Sequence, residues 1–472
     1  MRTAIAWSHD LLAPEEQRLF RDLSPFVGGF SLEAAEAVAT GSLDPPAVLE
    51  GVAALVDQSL LYSAAGPDDE PRFVMLETVR EYGLERLTAS GDETAVLEAH
   101  ADRSLSLVEH ATTRLLGPEQ GRWLTRLEVE HDNLRASLAW VIERGNSELA
   151  LRLSSGLWLF WFLRGNLSEG REWLRRAMAL PAEVPTRARA EAAVGAGTIT
   201  ATQGDHTAGM TLLEEGVALM NRLGDRIGEA WAAGMVGNAA ALQGDHDRAA
   251  AHYLEVLAVL PATGPYGAFA ALALGNLGQI EVTRGARDRA AALYEEALRR
   301  QRDIGNPMGV ITCLVYLADL VADEGDHPRA IALYREGIDL LRGLDHLWFL
   351  GAFLTGIASV AVAVGQVELA IRLLAASQAA FHQFGVPPYP GFQLRRQRIL
   401  DAVRTDSDEA SYATEWAAGR SLSLEQAVAL ASTFEAPPAA GRASVGRPPP
   451  RPRTRTSAAT AALRAAGSSS GQ

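Results

Sequence analysis

The sequence predicts a mostly α-helical chain, in which a small N-terminal domain of helices and one β-hairpin precedes a solenoid of stacked helical hairpins. Three observations predict this. Glycines recur at Gly165, Gly204, Gly244, Gly285, Gly325 and Gly365, in steps of 39, 40, 41, 40 and 40 residues. Side chains of fixed size recur around them: Gly170, Gly209, Ala249, Ala290, Ala330 and Ala370 five positions on, then Leu174, Leu213, Tyr253, Tyr294, Tyr334 and Leu374. Seven positions before the glycine stand Gly197, Gly237, Gly278, Ala318 and Ala358, with Trp158 in the first unit. The third observation is that residues 1–90 lack this repeat and carry two short β-prone runs around a Gly66-Pro67-Asp68-Asp69 turn.

Each repeat reads as a helix, a tight turn and a second helix. Small residues on both helices let their backbones approach, and the aromatic fills the gap beside them. Such a pair cannot bury its apolar face alone and stacks on its neighbours. The pattern resembles tetratricopeptide (TPR) repeats, whose unit is shorter, at about 34 residues. The extra length implies longer helices.

A chain of 472 residues accommodates roughly two to four domains. A net charge of −15 argues against nonspecific coating of nucleic acid or anionic membrane by the body. The single cysteine, Cys313, excludes an internal disulfide and an all-cysteine zinc site, and fits a reducing cytoplasm. Asp10, Glu15 and Glu16 fall early and no long apolar core accompanies them, so no signal peptide is expected. The chain contains no lysine. That excludes a Walker A loop, Schiff-base chemistry and Ser–Lys catalysis. Residues 347–365 carry no charge over 19 positions, but they hold Gly351 and Gly356 and coincide with the first helix of the last repeat. A buried solenoid helix is expected there rather than a membrane span.

Within residues 1–90, Pro14-Glu15-Glu16 starts a helix whose apolar face is Leu19, Phe20, Leu23 and Phe26. Gly28-Gly29 breaks it, and Ser31 caps a short helix through Val38. Pro45-Pro46 opens a third helix to Asp57. Strands are expected at 60–62 and 73–75, then a helix from Glu77 to Leu87. Three helices plus a hairpin is the winged-helix arrangement. Its third helix would be the DNA reader, yet residues 46–62 contain no arginine and only Glu50 and Asp57 as charges. A major-groove helix needs cationic or amide donors, so this domain is expected to pack against protein.

Three segments carry a family resemblance: Ala6-Trp7-Ser8-His9-Asp10-Leu11-Leu12, Phe26-Val27-Gly28-Gly29-Phe30-Ser31 and Leu55-Val56-Asp57-Gln58-Ser59-Leu60-Leu61. They resemble the winged-helix region of actinobacterial regulators of the NB-ARC class of STAND signal-transduction ATPases, often joined to a LuxR-type DNA-binding end. The run from Phe73 to Tyr82 aligns with that family's Met-His-Asp segment, whose histidine senses nucleotide phosphates. Here Leu76 and Glu77 replace the histidine and aspartate, and leucine cannot donate a hydrogen bond, which argues against phosphate sensing at that position. Glu130-His131-Asp132-Asn133-Leu134-Arg135 is typical of the same regulators, and residues 416–427 resemble the segment before their helix-turn-helix. The resemblance covers roughly residues 1–430, without the ATPase and helix-turn-helix ends.

Between 92 and 144 the sequence predicts two long helices separated by Gly117-Pro118-Glu119. The second would carry Trp123, Leu127, Leu134, Leu138 and Val141 in one helical stripe. Glu130, His131 and Asp132 are adjacent on a helix and point apart, so they suit a structural joint better than a metal site. Trp158, Phe160, Trp161 and Phe162 are expected to seal the first repeat onto that joint. His206, His246 and His327 follow the repeat glycines as solvated turn residues, too far apart to share a metal. The first helix of each unit should line the concave face. By the repeat register Trp231, Asn238, Gln279, Thr312 and Asp319 project there, in a groove that is neutral to acidic and suited to a basic or polar ligand. Ser423 and Gln426 form a capping box near the end of the ordered chain. Residues 436–472 are rich in Pro, Ala, Arg, Ser and Gly and are expected to be disordered.

The domains expected are therefore a winged helix (1–90), a helical linker (91–145), TPR-like repeats (146–384), C-terminal helices (385–435) and a tail (436–472). No catalytic constellation and no cofactor or metal site is found. The expected role is a non-catalytic, cytoplasmic protein-interaction and signal-sensing module of a STAND/LuxR-type transcriptional regulator. It would hold a protein or peptide in the solenoid groove and work with an ATPase domain in trans, touching DNA only indirectly or weakly and the membrane not at all. The alternative reading is a nucleic-acid-binding protein acting through its arginine-rich tail.

Overall fold

A computed structural model of the chain describes residues 2–39, 44–67, 70–181, 185–341, 344, 347–384 and 390–435. The architecture is mostly α: a winged helix followed by a TPR-like solenoid. The winged helix comprises α1 (Arg2–Asp10), α2 (Pro14–Asp22), α3 (Leu32–Val38), α4 (Pro45–Asp57) and α5 (Glu77–Ser90), with strands β1 (Phe30–Ser31), β2 (Tyr62–Ala65) and β3 (Pro71–Val74). The strands form one antiparallel sheet in the order β1-β3-β2, with Phe30 opposite Phe73 and Tyr62 opposite Val74. Both hairpin strands are displaced from the expected positions, and β1 and α1 were not expected at all. The cause of β1 is local. Gly28 and Gly29 take φ of 77° and 95°, which turns the chain back so that Phe30 reaches β3. A side chain on Gly29 would come within 2.8 Å of the Phe73 carbonyl oxygen. Leu19, Phe20, Leu23, Phe30, Leu55 and Leu87 form the core beneath. Asp68 and Asp69 of the expected turn lie outside the described residues.

The linker holds three helices rather than two: α6 (Glu93–Arg114), α7 (Gln120–Val129) and α8 (His131–Glu143). The stripe from Trp123 to Val141 runs across a break at Glu130, which leaves helical geometry at φ −91°, ψ 2°. Its carboxylate is drawn toward two arginines, as described below.

The solenoid pairs are α9 (Ser147–Arg164) with α10 (Leu167–Met178), α11 (Arg187–Thr202) with α12 (His206–Leu223), and α13 (Arg226–Leu242) with α14 (His246–Val259). Then come α15 (Gly264–Thr283) with α16 (Arg287–Ile304), α17 (Pro307–Asp323) with α18 (His327–Leu340), and α19 (Leu347–Ala363) with α20 (Val367–Phe384). Helices α21 (Pro390–Thr405), α22 (Glu409–Arg420) and α23 (Leu424–Thr433) end the described chain. Each repeat glycine sits between the helices of its pair with φ of 76–98°, the left-handed conformation that stops the first helix. Asp205, Asp245 and Asp326 follow and accept the amides of Ala208, Arg248 and Arg329, starting the second helix. The Ser423–Gln426 capping box opens α23.

Small residues and aromatics mesh closely. A Cβ on Gly278 would lie 2.4 Å from the Tyr294 ring, one on Gly237 3.0 Å from Tyr253, and one on Gly356 2.4 Å from Tyr334. Tyr253, Tyr294 and Tyr334 are among the largest fully buried side chains. Helix α19, the uncharged stretch, packs against α17 and α20. Among the described residues no helix is long and apolar enough to cross a membrane.

The stack bends back on itself. The amide of Met308, at the start of α17, donates to Gln120 Oε1 at 3.2 Å, and Gly305 lies against Pro118. Arg164 Nη1 donates to the Leu344 carbonyl at 3.4 Å. The linker and first repeat therefore touch the fifth repeat and the segment leading to the sixth. Trp158 reaches past Gly195 to Trp231, with ring centroids 6.3 Å apart, and Trp231 meets Phe269 at 5.9 Å.

If the Gly278–Tyr294 approach sets the repeat spacing, Gly278→Leu should lower stability by about 1–3 kcal/mol or more through overpacking. The urea midpoint of unfolding reads this, and an unchanged midpoint would contradict the packing register.

Candidate functional site

The five residues assigned to the concave face occupy different environments. Trp231 is only 6% exposed, held in the aromatic ladder. Asn238 is half-buried: its Oδ1 accepts from Tyr253 Oη at 2.9 Å and from Asn276 Nδ2 at 2.8 Å. Trp231 and Asn238 share a narrow cleft with Met235, Phe269 and Asn276. Gln279 and Thr312 are half-buried farther along, and the Thr312 hydroxyl donates back to the Met308 carbonyl. Asp319 accepts from Tyr334 Oη at 2.6 Å, and Arg395 of α21 lies 3.5 Å from the same oxygen. Burial pushes the Asp319 carboxyl up, against the pull of Arg395. The structure thus brings two of the five together and commits a third to an internal pair. Asn238, Gln279 and Asp319 are equivalent repeat positions, and in two of the three the side chain receives the tyrosine hydroxyl of its own unit's second helix.

A dense polar cluster lies at the joint, where the sequence predicts a structural role without naming its bonds. One turn of α8 faces two ways. Glu130 and Asn133, three residues apart, face the winged helix. Arg72 of β3 donates to Glu130 Oε1 at 2.5 Å and to the Gly29 carbonyl at 2.7 Å. Asn133 Nδ2 donates to Glu130 Oε2 and to the Gly29 carbonyl, and its Oδ1 accepts the Val27 amide at 2.6 Å. His131 and Arg135, four apart, face the solenoid. Arg135 grips Glu169 of α10 through both carboxylate oxygens at 2.7 and 2.5 Å, and His131 Nε2 stands 3.1 Å from the same carboxylate. The sequence signal was the spacing: positions i and i+3 share one face of a helix, positions i+1 and i+5 another.

The electrostatics follow from burial and pairing. Burial alone would raise the Glu130 carboxyl, but the charges of Arg103 and Arg72 and two hydrogen bonds outweigh it and hold it below the usual range. Glu169 behaves alike: burial opposes, and the Arg135 fork and His131 hold it well below the usual carboxylate range. His100 of α6 sits beside this cluster, almost wholly buried. Its Nδ1 lies 3.0 Å from the Ser137 hydroxyl and Phe26 packs edge-on at 4.8 Å. Burial, reinforced by Arg103, pushes its imidazole down to about 4.

Trp158, Phe160 and Trp161 are buried between the linker and the first repeats, and Phe162 packs against them. His206, His246 and His327 are half-buried first residues of α12, α14 and α18, each with a buried Nδ1 that makes no hydrogen bond; the expected full solvation is not found. Among the described residues no group of three His, Cys, Asp or Glu side chains could hold a metal ion.

Residues 190–418 match the family model of the MalT-like TPR region, and residues 12–88 match that of a winged helix-turn-helix domain. Over 197 residues the chain is 44% identical to "Putative HTH-type transcriptional regulator Rv0890c" of Mycobacterium tuberculosis (strain ATCC 25618 / H37Rv), covering 40% of this chain and 22% of the relative. The Mycobacterium bovis counterpart, "Putative HTH-type transcriptional regulator Mb0914c", matches to the same extent. The chain thus spans about a fifth of the length of the curated relatives it matches. Similar solved structures include a STAND protein with a tetratricopeptide repeat sensor from Pyrococcus horikoshii (TM-score 0.35, 15% identity, 84% of this chain and 63% of that one). Another is a Rap protein complexed with competence and sporulation factor (TM-score 0.41, 11% identity, 65% of this chain and 99% of that one). The chain is accordingly similar to a winged helix-turn-helix domain ahead of a MalT-like TPR region, and the two mycobacterial relatives above bear the name "Putative HTH-type transcriptional regulator".

Two acid transitions are expected at the joint. His100 titrates near 6.5 when unfolded and about 4 when folded, so its contribution is complete above pH 6.5 and lost as pH falls toward 4. That loss is about 3 kcal/mol at 1.36 kcal/mol per pH unit. The depressed Glu169 carboxyl contributes fully above its ordinary 4.5 and is lost below it. Urea midpoints measured against pH should flatten between 6.5 and 4 in His100→Gln and below 4.5 in Glu169→Gln. Profiles parallel to wild type would contradict these assignments.

Proposed function

We propose that the chain is the signal-receiving, protein-interaction portion of a bacterial transcriptional regulator of STAND/LuxR type, non-catalytic and cytoplasmic. In this reading the solenoid takes a protein or peptide at the Trp231–Asn238 cleft. The joint passes the event to the winged helix, which engages protein, including an ATPase domain supplied in trans. DNA is reached only indirectly.

The observation that carries the reading is the two-faced turn of α8. Glu130 and Asn133 hold the winged helix while His131 and Arg135 hold the first repeat, so neither side can move without straining the other's bonds. The surface of α4 supports the protein-facing role. Its exposed positions are Pro45, Pro46, Leu49, Glu50, Ala53 and Asp57, which offer no cation to a phosphate. Leu49 is 50% exposed there, an apolar contact waiting for a partner.

Affinity capture with the full chain tests the proposal. Wild type should retain a specific bacterial protein or peptide, and Asn276→Arg, which fills the cleft while leaving helicity intact, should reduce retention at least tenfold. A chain that recruits nothing above background, or equal recruitment by the variant, would contradict the assignment. The same preparation should not retard duplex DNA through α4, so Leu49→Ala should leave any retardation unchanged.

A further inference from the structure

The joint buries more positive than negative charge. Arg72 and Arg103 expose only 8% and 9% of their side chains, and the one buried carboxylate between them, Glu130, exposes 3%. Arg72 is satisfied by Glu130 and the Gly29 carbonyl. Arg103 is not: its Nη1 stands 3.6 Å from Glu130 Oε2, beyond hydrogen-bond range, and makes no hydrogen bond although it is buried. A buried guanidinium without a full complement of acceptors is costly. Glu130 balances part of its charge from 3.6 Å but is held by Arg72 and Asn133 rather than by this Nη1.

Arg103 lines a cleft with Ser31, Glu70, Arg72, Arg126 and Glu130, between the winged helix and the linker. Arg126 is 29% exposed at the rim, tied at 2.9 Å to the outlying Glu33, whose side chain is 76% exposed. Ser31 Oγ accepts the Ala34 amide and keeps its own proton free to donate. Glu70 is exposed and forms no ion pair with these arginines.

We propose that this cleft is an oxyanion site for a phosphate group, received by the Arg103 and Arg126 guanidinium forks and the Ser31 hydroxyl. Planar forks match tetrahedral oxyanions through paired hydrogen bonds, and a dianion cancels the excess positive charge. Arg126 would exchange its exposed partner Glu33 for the ligand. Because Ser31 belongs to the winged helix and Arg103 and Arg126 to α6 and α7, an occupied site would tighten the joint. The group would come either from free phosphate or from a nucleotide.

Calorimetric titration of the full chain with inorganic phosphate, and separately with AMP, at ionic strength held constant with chloride, tests this. Saturable binding is expected, at least tenfold weaker in Arg126→Gln, whose half-buried rim position lies outside the core, and lost in Arg103→Gln. AMP binding more tightly than phosphate identifies a nucleotide as the source, and equal or weaker binding identifies the free ion; both support the site. No saturable binding of either probe to wild type, or binding that Arg126→Gln leaves unchanged, would overturn it.

Discussion

A carboxylate buried between two arginines sets the geometry of the joint. Burying Glu130 is unfavourable by itself, and Arg72, Arg103 and Asn133 make it tolerable. Removing Glu130 would leave two buried guanidinium groups without their carboxylate, and removing Arg72 would strip Glu130 of its hydrogen-bonded cation; either is far costlier than losing a surface pair. The interaction therefore specifies position more than it adds stability. It ends α7, starts α8 one residue later, and fixes β3 against the linker. Everything C-terminal follows from that orientation, since the next turn of the same helix carries the grip on Glu169.

Close helix approach governs the rest of the chain. The first helices are rich in alanine and glycine, and each tyrosine of the second helices is buried where a small residue faces it. The hydroxyl that accompanies each buried ring needs an acceptor, and Asn238 and Asp319 supply one. Two polar positions that look like a recognition stripe in sequence are thereby drawn into the fold. Tight packing also brings the stack round far enough for Gln120 to meet Met308. A perturbation in the fifth repeat is therefore mechanically close to the linker, although 188 residues separate the two in sequence.

What was legible in the sequence was whatever depends on local chemistry. The tight turns at the repeat glycines, the Ser31 and Ser423 caps and the proline-started helices α2 and α4 all stand where the residues placed them. What was not legible depends on partners distant in sequence. The stripe Trp123, Leu127, Leu134, Leu138, Val141 keeps helical spacing across Glu130, so nothing local announces the break; its cause is an arginine 58 residues upstream. Repeat register assigned Trp231 to the concave face but could not show that Trp158 would cross Gly195 to meet it. Nor could it show that Arg395 would reach Asp319 from 76 residues away. Strand β1 was missed because two residues carry almost no pattern.

The central claim is that one turn of α8 couples the winged helix to the solenoid, and the Val27 amide reports on it directly because its acceptor is Asn133 Oδ1. Native-state hydrogen exchange of wild type and Asn133→Ala should show protection lost at residues 26–30 in the variant. The winged helix should then open at lower denaturant than the solenoid instead of together with it. Unchanged protection at Val27, with both halves still opening in a single step, would contradict the account.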